Sequence, residues 1–227
     1  TDFDFGLLRW ATAEEEDQGY ESVFEHYANG GDKFLGGENL LEHLVYESFK
    51  NNLDTLRKHR IQFTQPIDSQ GFSGSEALLA RTQAAQTNTA ILAATLRAFL
   101  ESETPKLNSQ IKLDLINVQG EKVSCELGFK QDYLDALLAG RVCAGVEAFL
   151  HELRGVLPNF PADATIHILL AGNGSRSRHV RQAFEVVETT YEEKEGGFKV
   201  KVHAPLPMDA SNPHAPTAKT GVALGLL

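Results

Sequence analysis

Apolar and polar residues alternate from the first positions of the chain. Phe3, Phe5 and Leu7 are separated by Asp4 and Gly6, the period-two pattern of a strand with one covered face. The acidic run Glu14, Glu15, Glu16, Asp17, followed by Gly19, reads as a solvated hairpin tip, and residues 20–27 as the returning strand. After the glycines at 30, 31, 36 and 37 the period lengthens. Leu40, Leu41, Leu44, Val45, Phe49 and Leu53 recur at helical spacing along one face.

Pro66, Gly71 and Gly74 then mark a loop. Ser75 and Glu76 are expected to open a long alanine-rich helix to about Leu100, interrupted near residues 87–89. Ile111, Leu113 and Leu115, then Gly120, then Val123, Cys125 and Leu127 predict a β-hairpin. Phe129 through Leu153 carries a helical stripe, ended by Gly155 and Pro158. The run from Ile166 to Leu170 reads as a strand, residues 177–187 as a helix and residues 198–202 as a late strand. Four prolines between 205 and 216 make a stiff loop, and residues 219–227 close the chain as a small-residue helix.

Helices interleaved with strands point to an α/β build. The economical division is a flanking unit, residues 1–37 and 138–227, interrupted by an inserted α+β segment at 38–137. The chain starts at Thr1, directly in strand alternation, so it reads as a piece of a longer protein.

Composition narrows the partners. With 21 Lys and Arg against 31 Asp and Glu, the net charge is -10, which argues against a general nucleic-acid or anionic-membrane surface. No apolar run approaches the roughly 20 residues of a membrane helix. Cys125 and Cys143 have no metal-ligand spacing around them and read as half-buried thiols of a reducing compartment. His167, on an apolar strand, reads as a core residue, and the scattered histidines suggest neither a metal site nor a Ser-His-Asp arrangement.

Chemistry is concentrated at two glycine bends. Gly172, Asn173, Gly174, Ser175 and Arg176 follow a strand and precede a helix. The glycines allow close backbone approach to a ligand, Ser175 or Ser177 could cap the following helix, and Arg176 could stack on a base. A Rossmann reading of this turn lacks the first strand-turn-helix that carries its fingerprint.

The second bend, Gly31-Asp32-Lys33-Phe34-Leu35-Gly36-Gly37-Glu38-Asn39-Leu40, resembles the Gly-Asp-x-x-Leu-Gly-Gly-Glu-Asp-Phe signature of the seventy-kilodalton heat-shock chaperones. The run from Leu170 to Arg176 resembles that family's Gly-Gly-Ser-x-Arg adenosine motif. Residues 217–227 are similar to its closing helix, and Thr1-Asp2 looks like the tail of its second phosphate loop. The resemblance implies lobe II of an actin-like ATPase domain, a ribonuclease H-like subdomain with the inserted segment as an outer, mobile one.

It further implies that ATP, with Mg²⁺, binds in a cleft completed by a first lobe. Gly172, Asn173, Gly174, Ser175 and Arg176 would line the adenosine side, with Gly36, Gly37 and Glu38 near sugar and phosphates. Arg97 would stack on the base, and Asp2 would stand at the catalytic edge. This lobe alone would hydrolyse nothing. A co-chaperone or exchange factor would dock on residues 38–137, in the cytoplasm. Departures from the pattern are Asn39, Ala94, Glu101, Asn173 and Lys219. They support an alternative: a non-enzymatic interaction scaffold with an eroded pocket.

Overall fold

A computed structural model describes residues 2–32, 35–67, 69–102, 104, 106–159, 165–192, 199–205, 212 and 215–217. The fold is mixed α/β. Strand β1 (Asp2–Trp10) pairs antiparallel with β2 (Ser22–Gly31), with a register shift between Phe5 and Gly6. The acidic tip between them is more than a turn, because residues 13–17 wind into helix α1 (Ala13–Asp17). The Glu15 carboxylate accepts from the Thr12 amide at 2.8 Å and from Arg9 of β1 at 2.8 and 3.0 Å.

The expected first helix is two. Helix α2 (Gly37–Lys50) and helix α3 (Leu53–His59) are separated at Asn51 and Asn52. Asn52 makes the break: its Nδ2 donates to the Ser48 and Gly128 carbonyls, at 2.8 and 2.9 Å, and its Oδ1 accepts from the Gly128 amide at 2.7 Å. A side chain tied to a distant strand end outweighs the continuous helical stripe.

Helix α4 (Gln83–Glu101) starts later than Ser75 and is unbroken at residues 87–89. Thr82 caps it by accepting from the Ala85 amide at 3.2 Å. Ser75 instead closes a local turn, its hydroxyl donating to the Phe72 carbonyl at 2.6 Å. Of the polar residues expected to interrupt α4, Thr87 donates to the Gln83 carbonyl of the helix itself at 2.9 Å, while Asn88 and Thr89 bond segments outside it. Asn88 Nδ2 donates to the Gln62 and Ile116 carbonyls at 3.0 and 2.8 Å, and its Oδ1 accepts from the Ile116 amide at 2.7 Å.

The hairpin of β3 (Gln110–Ile116) and β4 (Lys122–Gly128) forms as expected, turning at Gly120 with φ 82°. Helix α5 (Gln131–Val156) follows, running through both Gly155 and the proposed boundary at residues 137 and 138. Then β5 (Thr165–Leu169), helix α6 (Arg178–Glu192) and β6 (Lys199–His203) make a strand-helix-strand unit whose strands are parallel. Residue 198 and the expected closing helix lie outside the described residues.

Among the described residues the strands form three separate two-stranded sheets. They share one main core. Leu44, Leu56, Leu92, Leu96, Leu115 and Leu134 are fully buried at its centre, and Val142, Val146, Ile168, Phe184 and Val200 extend it to α5, α6 and the parallel strands. A smaller cluster of Phe5, Leu153 and Val156 holds the β1–β2 hairpin to α5.

Candidate functional site

The two glycine bends meet. Gly36 is the residue that caps α2, its carbonyl accepting from the Leu40 amide at 3.0 Å, and Gly37 opens the helix. On the other side β5 delivers Gly172, at φ 81°, a conformation that side chains rarely tolerate. A 3₁₀ turn, Asn173–Arg176, follows. A Cβ placed on Gly37 would lie 3.4 Å from Gly174 Cα, and one on Gly174 would lie 3.3 Å from Gly37 Cα. The backbones are in direct contact, each lying where the other's side chain would otherwise stand, and both glycines are half-buried.

Next to Gly37, Glu38 receives a bidentate hydrogen bond from Arg97 of α4, at 2.7 and 2.9 Å. Arg97 also donates to Glu101 at 3.2 Å, one turn further along α4. The hydrogen bond to Glu38 leads in holding the Arg97 guanidinium still more firmly protonated than usual, against a smaller opposing effect of burial. A planar guanidinium fits two carboxylates in this way because its donors form a fixed fork. Ala94 is exposed on the same helix.

The turn is braced from within. Ser175 does not cap α6; its hydroxyl donates back to the Gly172 carbonyl at 2.6 Å. The first amides of α6 that the turn satisfies, Val180 and Arg181, bond the Ser177 carbonyl at 3.1 and 3.2 Å. Arg176 is exposed and has no ion pair among the described residues.

A contact that the sequence did not suggest anchors the next residues. Asp135 of α5 takes Arg178 at 2.5 Å and His179 at 3.2 Å, tying the start of α6 to α5. Nothing in the local pattern around Asp135 marks it, since its partners lie far along the chain.

Asp2 is exposed at the start of β1 and pairs in register with Gly31, where β2 gives way to the loop leading to Gly36. It therefore flanks the second bend by topology. Gly36, Gly37, Glu38, Arg97, Gly172, Gly174, Ser175 and Arg176 are brought to one wall; of Asn173 only the backbone is described.

This is an open wall. Two depressions on the described surface lie elsewhere, one beside Thr165, Glu188 and Lys199 and one beside Trp10, Glu16 and Tyr20. Among the described residues no three His, Cys, Asp or Glu side chains are gathered for a metal ion.

Two expectations are corrected at this end of the fold. His167 is not a core residue, because it stands on the open face of the parallel strands. Its Nδ1 lies 2.8 Å from His203 Nε2. The rings, 5.1 Å apart at their centroids, meet edge to edge at that nitrogen separation. Cys143 is exposed, while Cys125 is buried and its thiol is pushed up by that burial. No described helix is long and apolar enough to cross a membrane.

The chain matches no protein-family model. It also matches no curated protein.

Proposed function

We propose that this chain is the second lobe of an actin-like nucleotide-binding domain of the seventy-kilodalton heat-shock chaperone type, holding the adenosine side of ATP. The observation that carries the reading is the backbone contact of Gly37 with Gly174. Two motifs that resemble one family's nucleotide-binding segments, far apart in sequence, form one wall.

The residues fit a purine nucleoside in part. Bare backbone at two bends gives a base and sugar close approach. Arg176, exposed and unpaired among the described residues, has a guanidinium face for stacking. Glu38 has carboxylate oxygens that accept sugar hydroxyls once it shares or releases Arg97. In a complete two-lobe domain ATP would supply the phosphoanhydride bond to be cleaved, and Mg²⁺ would be held largely by groups of the first lobe. The contribution of this lobe is positioning, with Asp2 at the phosphate edge. The chain alone binds ATP weakly and leaves it intact, and the 38–137 segment is the part a co-chaperone or exchange factor would engage, in the cytoplasm.

Titration calorimetry with ATP and Mg²⁺ tests this. Saturable binding is expected, weakened about tenfold or more in Arg176→Ala, the loss of a single charged contact. One observation favours a second reading, an interaction scaffold with an eroded pocket: Arg97 is already neutralised by Glu38 and Glu101. Heat-silent titrations at every ATP concentration would select that scaffold and reject the ATPase lobe.

A further inference from the structure

The Gly36–Gly37 bend is preceded by a side chain seated on helix α5. Leu35, the residue just before it, lies over Gly145 in the middle of α5. A Cβ on Gly145 would overlap Leu35 Cδ1 and would lie 3.3 Å from both Cδ2 and Cγ. The overlap is with Cδ1, the far end of the side chain, which has to turn away, while Cδ2 and Cγ have to give by a few tenths of an ångström.

Three glycines lie in α5, and only this one needs explaining. A Cβ on Gly140 or on Gly155 would meet nothing within 4 Å. Gly145 is buried, and it is absent from the residues of positive φ, so its backbone does not demand glycine. Glycine weakens a helix interior. What offsets that cost at residue 145 is the space that Leu35 fills, between Val142 and Val146, which belong to the main core.

We infer that the seat of Leu35 on Gly145 sets where the Gly36–Gly37–Glu38 backbone stands. Leu35 and Gly145 are then positioning residues for the nucleotide site, an assignment that rests on the functional reading above. Leu35 is two residues from Gly37, whose main chain touches Gly174, and three from Glu38, which Arg97 holds by two hydrogen bonds. A shift at Leu35 therefore reaches both contacts through only two or three residues of backbone. Misplacement by about 1 Å is enough to cost a large part of a site's effectiveness.

The test compares Gly145→Ala with Gly140→Ala in the same helix. Gly140→Ala, in open space, is expected to keep or raise the melting temperature of the chain, whereas Gly145→Ala crowds a buried contact and is expected to lower it. Gly140→Ala is expected to leave ATP–Mg²⁺ affinity and amide exchange of residues 36–40 at wild-type values. Gly145→Ala is expected to speed exchange at residues 36–40 and to weaken ATP about tenfold, in line with a displaced positioning contact. Adding Leu35→Val, a shorter side chain, to Gly145→Ala should restore protection and part of the affinity.

If exchange at residues 36–40 is the same in Gly145→Ala and Gly140→Ala, the inference is overturned. A wild-type chain that binds no ATP defeats the functional reading instead, and the exchange comparison still decides whether the seat governs the bend.

Discussion

Residues 38–137 and the β1–β2 hairpin solve the same problem in opposite ways. Between α2 and β4, Leu44, Leu56, Ile61, Phe63, Leu92, Leu96 and Leu115 are all at 0% exposure, with Ile67 and Val118 exposed in loops. Of the buried polar residues there, Asn52 and Asn88 each make three bonds to backbone. The hairpin has Phe5 as its one buried apolar anchor, while Trp10 stands 83% exposed and Leu8 and Phe24 more than half exposed. The difference teaches where order comes from. Residues 38–137 hold the centre of the main core, whereas a two-stranded ribbon has no second layer and depends on α5.

That contrast is broken most severely through Asn88. Asn88→Ala removes the side-chain partner of two carbonyls and one amide on Gln62 and Ile116, at a site where Asn88 itself is at 0% exposure. It should cost about 3 kcal/mol or more, read as a lowered urea midpoint with an unchanged slope.

Phe149 is the matching test on the other side. Its ring meets Phe3 edge-on at 5.4 Å, Phe5 at 5.6 Å and Phe184 at 5.6 Å. Phe149→Ala is expected to cost about 2–3 kcal/mol. Amide exchange should rise across residues 2–31 while α4 and β3 stay protected. Equal loosening of both regions would show that the hairpin and residues 38–137 are one cooperative unit.

The smallest effect is electrostatic. The Arg9 guanidinium beside it, then the Thr12 amide, hold the Glu15 carboxyl at about 2, against an ordinary value of 4.5. A folded pKa below the unfolded one gives stability that is fully present above 4.5 and lost as pH falls toward 2. Exchange at the α1 tip should therefore quicken through that window in wild type and lose its pH dependence in Glu15→Gln. Because the pair is exposed, added salt should weaken the effect.

Legibility followed the same divide. The β3–β4 hairpin, the stripe of α5 and the strand-turn-helix at residues 165–192 were readable, since each needs only local alternation, period and glycine. The start of α4 was not. Ser75 followed by Glu76 carries the same cap signal as Thr82. What chooses between them is Phe63, whose amide and carbonyl bond the Leu78 carbonyl and the Ala80 amide and keep that stretch extended. The gap between α2 and α3 was hidden for a like reason, since Asn52 reveals its role only opposite Gly128. In the candidate site the glycines and Arg176 were marked by type and spacing. The closing of Glu38 on Arg97, the clamp of Asp135 on Arg178 and the seat of Leu35 on Gly145 were not.

By itself the sequence determined which segments wind, which extend and where the backbone is left bare, because those follow from side-chain size, branching and periodicity within a few residues. Only the tertiary structure decided that Gly37 and Gly174 touch, that Arg97 is held between two carboxylates and that His167 faces outward. Contacts of that kind are set by how whole elements dock, and docking is governed by buried surface and distant hydrogen-bond partners that no local window of residues contains.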